Sequence, residues 1–314
     1  MLDKILSSCK YVVDNAKDVT INYSKIDELI KSTKDIDNSH WLYNSPFGIL
    51  DFDVKDIVNF LLVYHSVGFS YWGNPKWTIK TENGELDGAY AMMYVLINQM
   101  KRDKEFLDAD NLQRMTREEL QEILKGNIEL PLFNQRYDNL ISIGKAINER
   151  MRGDFYSYIK DITTDNALVE LIIQTFNVFN DVSSYSDKPV YFYKLAQLLV
   201  SDILHIRALK ENINVDYTHL VGCADYKIPQ VLRGMGMLKY SEDLSNMVDN
   251  KRELLPNSGH EIEIRASMLV AINVITEKLN NGICLIIIND FIWLKGQDKT
   301  LELKPYHLTR TKFY

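Results

Sequence analysis

Ala167-Leu-Val-Glu-Leu-Ile-Ile-Gln-Thr-Phe-Asn-Val-Phe179 sets Leu168, Leu171, Ile172, Phe176 and Phe179 at helical spacing. A period of 3.6 residues gathers these positions on one stripe, so the stretch reads as an amphipathic helix with a buried face. The same pattern recurs at Leu195, Leu198, Leu199 and Ile203, and again at Ile264, Met268, Ala271 and Ile275. Thr116-Arg-Glu-Glu119 has the spacing of a capping box, in which hydroxyl and carboxylate each satisfy a free backbone N–H at a helix start. Strand signals are fewer. Pro189-Val-Tyr-Phe192 is short and rich in β-formers, Trp72 to Lys80 alternates weakly before the Asn83-Gly84 turn, and Cys284 to Ile288 fits a buried strand or a helix equally. The fold class read from these patterns is mainly α with a minor β element. No Pro/Ser/Gly-rich linker, charge block or repeat divides the chain, so residues 1–314 read as one domain.

The 314 residues suffice for a sizeable core, and their 46% hydrophobic and 25% charged content is ordinary for a soluble globular protein. Lys plus Arg is 36 and Asp plus Glu is 43, a net charge of −7. Polymeric nucleic acid is held by basic surfaces that release counterions, so this balance disfavours it as a partner, while a small anionic ligand stays compatible. Cys9, Cys223 and Cys284 form no Cys-x-x-Cys pair, which suggests neither a disulfide framework nor a thiolate metal site. The start lacks the features of a secretory signal, and Ile283 to Ile288 is too short to span a bilayer, so the expected location is cytoplasmic with no membrane partner.

The stretch richest in chemical signals is Leu220-Val-Gly-Cys-Ala-Asp-Tyr-Lys-Ile-Pro-Gln-Val-Leu-Arg-Gly-Met-Gly236. Pro229 suits a first helical turn, and Gly234 or Gly236 suits the end of the short helix that follows. Asp225 then sits just ahead of a helix start, where spacing alone makes it a cap or turn residue. The sharper alternative is a carboxylate at a pocket floor, flanked by Cys223 and Tyr226. Lys194 reads either as a lysine snorkelling from a helix end or as a cation for an anionic ligand. Glu261, Glu263 and Arg265 alternate with apolar residues and read as a structural ion-pair cluster at a helix entry. Phe69-Ser-Tyr-Trp72 and Trp77 make an aromatic cluster that fits a core, or a platform for a heterocyclic base. No Walker loop, GxGxxG, HExxH or GxSxG occurs, and the six histidines lack metal-ligand spacing, so no metal or organic cofactor is called for.

Phe69-Ser-Tyr-Trp72, Asp87-Gly-Ala-Tyr90, Phe192-Tyr-Lys-Leu-Ala-Gln197, Ala224-Asp-Tyr-Lys-Ile-Pro-Gln230, Glu261-Ile-Glu-Ile-Arg265 and Arg310-Thr-Lys-Phe-Tyr314 together resemble the queuosine salvage protein family. The resemblance runs from about Cys9 to Tyr314. It implies a fold like that of helical DNA glycosylases and hydrolysis of the N-glycosidic bond of queuosine 5′-monophosphate, which frees queuine for tRNA modification. It also implies that Asp225 is the catalytic carboxylate, acting by electrostatic stabilisation or by direct attack on the anomeric carbon. A second acid near the base is implied too. Counting back from Trp293 puts Asn289 at the family's usual Asp position, with Asp290 one residue on. Cys223 stands where the family commonly has an aromatic residue, and His40 matches a family histidine that contacts the base. For the phosphate the expected cations are Lys194, Lys227 or Arg233, since an anion in a pocket wants a fixed positive charge. Two other functions fit similar residues: a glycosylase acting on a base within a nucleic-acid polymer, and a non-catalytic protein that binds queuine.

Overall fold

In the computed structural model, which describes residues 3–32, 36, 40–44, 47–298 and 301–314, the chain is 58% helical with small antiparallel sheets. Its axis is the Gly259–Leu279 helix, whose Ile262, Ile264, Ala266, Met268, Leu269, Ala271 and Ile272 are all buried. Ser258 starts it by accepting the Glu261 N–H, and Asn280, in the left-handed conformation, ends it. Every residue from Glu261 to Ile272 on this helix is buried, so neighbours cover that stretch all round. They include the helices Asp3–Asn15, Tyr23–Ser32, Lys227–Gly234 and Leu285–Lys295 and the strands Val19–Ile21 and Val182–Tyr185. A second helical layer is formed by Lys194–Glu211 packed on Val54–Ser66 and Asp165–Thr175.

The expected amphipathic stretch is helical over Asp165–Thr175, after which Phe176 adopts an extended conformation and Asn177–Phe179 tightens into a 3₁₀ turn. Phe176 and Phe179 nonetheless stay in the core, together with Leu168 and Ile172. The Thr116 capping box is present with both of its hydrogen bonds. Cys284 to Ile288 resolves as helix: Cys284 is the cap of Leu285–Lys295, and burial against the central helix removes the need for a polar face.

Three two-stranded antiparallel ladders complete the fold among the described residues. Thr78–Thr81 pairs with Gly84–Asp87 around a turn at Glu82-Asn83, one residue earlier than the expected Asn83-Gly84 because Gly84 already pairs with Thr81, and Val182–Tyr185 pairs with Lys188–Tyr191. The third ladder joins Val19–Ile21 to Leu238–Tyr240, segments far apart in the sequence. No described helix is long and apolar enough to cross a membrane.

Candidate active site

Chain segments from both helical layers converge on a cavity of about 240 Å³. Its charged residues include Lys194 from the start of the Lys194–Glu211 helix, Asp225 from the loop ahead of the Lys227–Gly234 helix, Lys227 from that helix and Asp290 from the Leu285–Lys295 helix, with the Lys76–Asp87 ion pair also on the lining. Its aromatic wall includes Phe69, Tyr71, Trp72, Tyr226, Trp293 and Tyr314. Tyr226 packs on Tyr306 with ring centroids 4.7 Å apart and the rings tilted by 34°, and the Arg310 guanidinium lies 3.5 Å above the Trp72 ring.

Asp225 is 9% exposed and lies one residue ahead of Tyr226, the N-cap of the helix that follows. Its Oδ1 accepts the Lys227 and Ile228 backbone N–H groups, each at 2.9 Å, while Oδ2 makes no hydrogen bond among the described residues. One oxygen is therefore anchored at a helix N-terminus and the other is available to the cavity. Burial pushes the Asp225 carboxyl above its ordinary value, and the Lys194 ammonium and the two N–H groups oppose that rise. Lys194 itself is 7% exposed, and its Nζ makes no hydrogen bond or salt bridge among the described residues. The cavity thus carries an unpaired ammonium and a half-engaged carboxylate.

The loop carrying Asp225 is held from below by buried side chains. Gln197 Oε1 accepts the Val221 N–H at 2.8 Å, and Gln197 Nε2 donates to the Gly222 carbonyl at 3.0 Å. Gly222 has φ 131°, and a Cβ there would stand 3.1 Å from Asn289 Oδ1, so the position requires glycine on both counts. Asn289 Oδ1 accepts the Cys223 N–H at 2.8 Å, and Asn289 Nδ2 donates to Asp290 Oδ1 at 3.0 Å. Asn289 is thereby committed to the protein itself, and Asp290, which lines the cavity, has one oxygen without a hydrogen bond among the described residues. Burial raises Asp290 to about 6, the His40 ring and the Asn289 hydrogen bond hold it back, and Asp202 adds to the rise.

Of the residues singled out in the sequence, Lys194, Cys223, Asp225, Tyr226, Lys227, Asn289 and Asp290 all line the cavity. His40 and Arg233 do not. His40 is buried one layer behind, stacked on His205 at 4.1 Å, with Nε2 3.1 Å from Asp202 Oδ1. Arg233 is forked onto Asp249 at 2.6 and 3.1 Å and lies over the Tyr240 ring, so its charge is spent on an ion pair outside the cavity. Trp77 is a core residue that donates to the Leu124 carbonyl. Glu263 ties the Lys17, Asp18 and Val19 N–H groups and the Tyr185 hydroxyl together, a structural role.

Sequence reading missed the cluster under the cavity. His65 lines the cavity and meets Asp202 at 2.6 Å, and Trp41 donates to the same carboxylate at 3.0 Å. Burial drives Asp202 up, but the hydrogen bonds and charges of His65 and His40 outweigh it and hold the carboxyl well below its ordinary range. His65 lies in the apolar run Ile57 to Ser66, and Asp202 in a helix buried on most sides, so neither stands out by pattern.

The arrangement of the Asp225 and Asp290 carboxyls, the Lys194 and Lys227 ammoniums and an aromatic wall suits a ligand with a flat heterocycle and a bond at which positive charge develops. Comparison with known proteins points the same way. Proteins named queuosine 5′-phosphate N-glycosylase/hydrolase align with this chain almost end to end. The Sphaerobacter thermophilus protein is 29% identical, covering 99% of this chain and 97% of its own length. That of Dictyostelium discoideum is 26% identical over 100% and 99%, and that of Bos taurus 25% over 98% and 97%. The profile of the queuosine salvage protein family matches residues 50–314, a span that holds Asp225, Asp290 and every other cavity residue except Trp41, and the chain belongs to that family.

Proposed function

We propose that this protein hydrolyses the N-glycosidic bond of queuosine 5′-phosphate and releases queuine for reuse in tRNA modification. The observation that carries the reading is the Asp225 carboxylate, fixed through one oxygen by two backbone N–H groups and open through the other to a cavity walled by aromatic rings. As the bond from C1′ to the base stretches, its electron pair leaves with the base and positive charge grows on C1′ and the ring oxygen. A preorganised anion in a water-poor site lowers the energy of that state more than that of the neutral ground state. Electrostatic stabilisation and direct attack on C1′ both use the ionised Asp225, and water completes the hydrolysis. The Lys194 ammonium opposes protonation of that carboxylate.

The base is 7-deaza, with carbon where a purine has N7, so a proton that helps it leave must reach another polar atom. Asp290, raised by burial to about 6, supplies a second acid suited to donating at the base edge. For the 5′-phosphate we assign Lys227. It is half-buried at the cavity, its Nζ reaches Gln230 at 3.3 Å, and its backbone N–H is already taken by Asp225, so only the ammonium remains to meet an anion.

The test is Asp225→Asn, assayed for queuine release from queuosine 5′-monophosphate, with queuine binding measured in parallel. Turnover is expected to fall by about 10³-fold or more while queuine binding survives, as for a group acting mainly in the transition state. Wild-type turnover in the variant removes Asp225 from the mechanism. Cleavage of intact tRNA alone, collapsing with added salt, makes the substrate a polymer.

A further inference from the structure

Lys194 and Asp225 lie on segments thirty-one residues apart, yet both are tied to one buried ion pair. The Asp181 carboxylate receives the Arg265 fork, at 3.2 Å on Oδ1 and a shorter contact on Oδ2. Asp181 Oδ2 also accepts the Lys194 backbone N–H at 3.3 Å, and the Asp181 carbonyl accepts the Phe192 and Tyr193 N–H groups, each at 3.1 Å. That pins the turn in which Tyr193, at φ 48°, delivers Lys194 to the cavity. The Nε of Arg265 points elsewhere and donates to the Ala224 carbonyl at 3.0 Å, one residue before Asp225. The guanidinium is sandwiched by the Phe192 ring at 3.9 Å and the Tyr314 ring at 4.5 Å, so it has little room to move.

A fully buried ion pair adds little net stability over a well-packed apolar substitute, because desolvation cancels most of its attraction. Arg265 and Asp181 are each 1% exposed. What the pair does supply is direction: three donors of one planar, rigid group address Asp181, Glu261 and Ala224 at once, which a lysine ammonium on a flexible stem cannot reproduce.

We propose that the Arg265–Asp181 pair is a positioning unit that sets the Lys194 ammonium and the Asp225 carboxylate in register for glycosidic bond cleavage. The proposal rests on the reading of Asp225 given above. Neither Arg265 nor Asp181 lines the cavity, so the pair acts through the two segments it holds.

The experiment measures kcat and KM for queuosine 5′-monophosphate, well below each melting temperature, in Arg265→Lys, Asp181→Asn, Glu263→Gln and Asp225→Asn. Displacing a catalytic group by an ångström costs about 100-fold in rate, so Arg265→Lys is expected to lower kcat about 10- to 100-fold with KM within about threefold. Glu263→Gln, on the same helix but bonded to Lys17–Val19, is expected to lower the melting temperature with kcat within about twofold. If Arg265→Lys does not fold, Asp181→Asn decides, since it keeps the backbone bonds to Phe192 and Tyr193 and removes the charge. Unchanged kcat in the folded variant, with Asp225→Asn inactive, overturns the positioning role alone. Full turnover in Asp225→Asn overturns the reading of the site and this proposal with it.

Discussion

Asn289 donates its amide N–H to Asp290 at 3.0 Å while its carbonyl oxygen receives the Cys223 N–H at 2.8 Å, so one side chain joins the Asp290 carboxyl to the loop that carries Asp225. Replacing it by Asp keeps an acceptor for Cys223 but sets a second negative charge beside Asp290. In Asn289→Asp the protonation of Asp290 is expected to shift upward by roughly one pH unit, since like charge disfavours the ionised form. The position of the pH limb described next measures that shift, and an unmoved limb shows that the two side chains do not communicate.

A protonated Asp290 that donates to the departing base gives kcat/KM a descending limb as pH rises through about 6, the value to which burial pushes this carboxyl. Asp225 must be ionised, so an ascending limb is also expected, at a pH above the ordinary aspartate value. Asp290→Asn retains a donor and is expected to abolish the descending limb. An ascending limb near 6 that vanishes in Asp290→Asn instead makes Asp290 an acceptor.

Lys227→Met is expected to raise KM for queuosine 5′-monophosphate about tenfold or more and to leave the unphosphorylated nucleoside unaffected, which narrows the preference between them. Arg233→Met breaks the pair with Asp249 and is expected to lower stability without changing that preference. Steady-state kinetics on both substrates separate the two residues.

Asp202→Asn leaves His40, His65 and Trp41 without their shared anion in a fully buried place. The expected loss is about 3 kcal/mol or more in urea unfolding at pH 7. A carboxyl whose folded value is depressed contributes fully above the unfolded value and loses that contribution as pH falls toward the folded one. The gap between wild type and variant is therefore expected to shrink below about pH 4, the ordinary aspartate range. A gap that stays constant down to pH 2 means that the cluster does not hold Asp202 ionised.

Much of the helical layout is written in spacing, because Ile264, Met268, Ala271 and Ile275 or Leu195, Leu199 and Ile203 have to share a face to be buried. The Leu285–Lys295 helix is not legible in that way: surrounded by protein, its run of isoleucines carries no period that separates helix from strand. The Val19–Ile21 to Leu238–Tyr240 ladder is equally silent, since three residues on each side leave no pattern and their partners are remote. Within the site, the Asp225 to Pro229 segment could be found from its helix-start chemistry, and Asn289 and Asp290 from the resemblance. Arg233 looked like a free cation because its partner Asp249 lies sixteen residues away on another helix. His65 and Asp202 were hidden because a polar residue inside an apolar run shows its purpose only when its partner is placed beside it.

The carboxyl group at the start of the Lys227–Gly234 helix is also the one we propose confronts the sugar. Winding that first turn and arming the enzyme are consequently a single event: a chain in which this segment unravels loses its reactive anion at the same moment. Lengthening the side chain by one methylene, as in Asp225→Glu, disturbs both tasks together, so selection acting on either the local backbone or the chemistry is confined to the same residue.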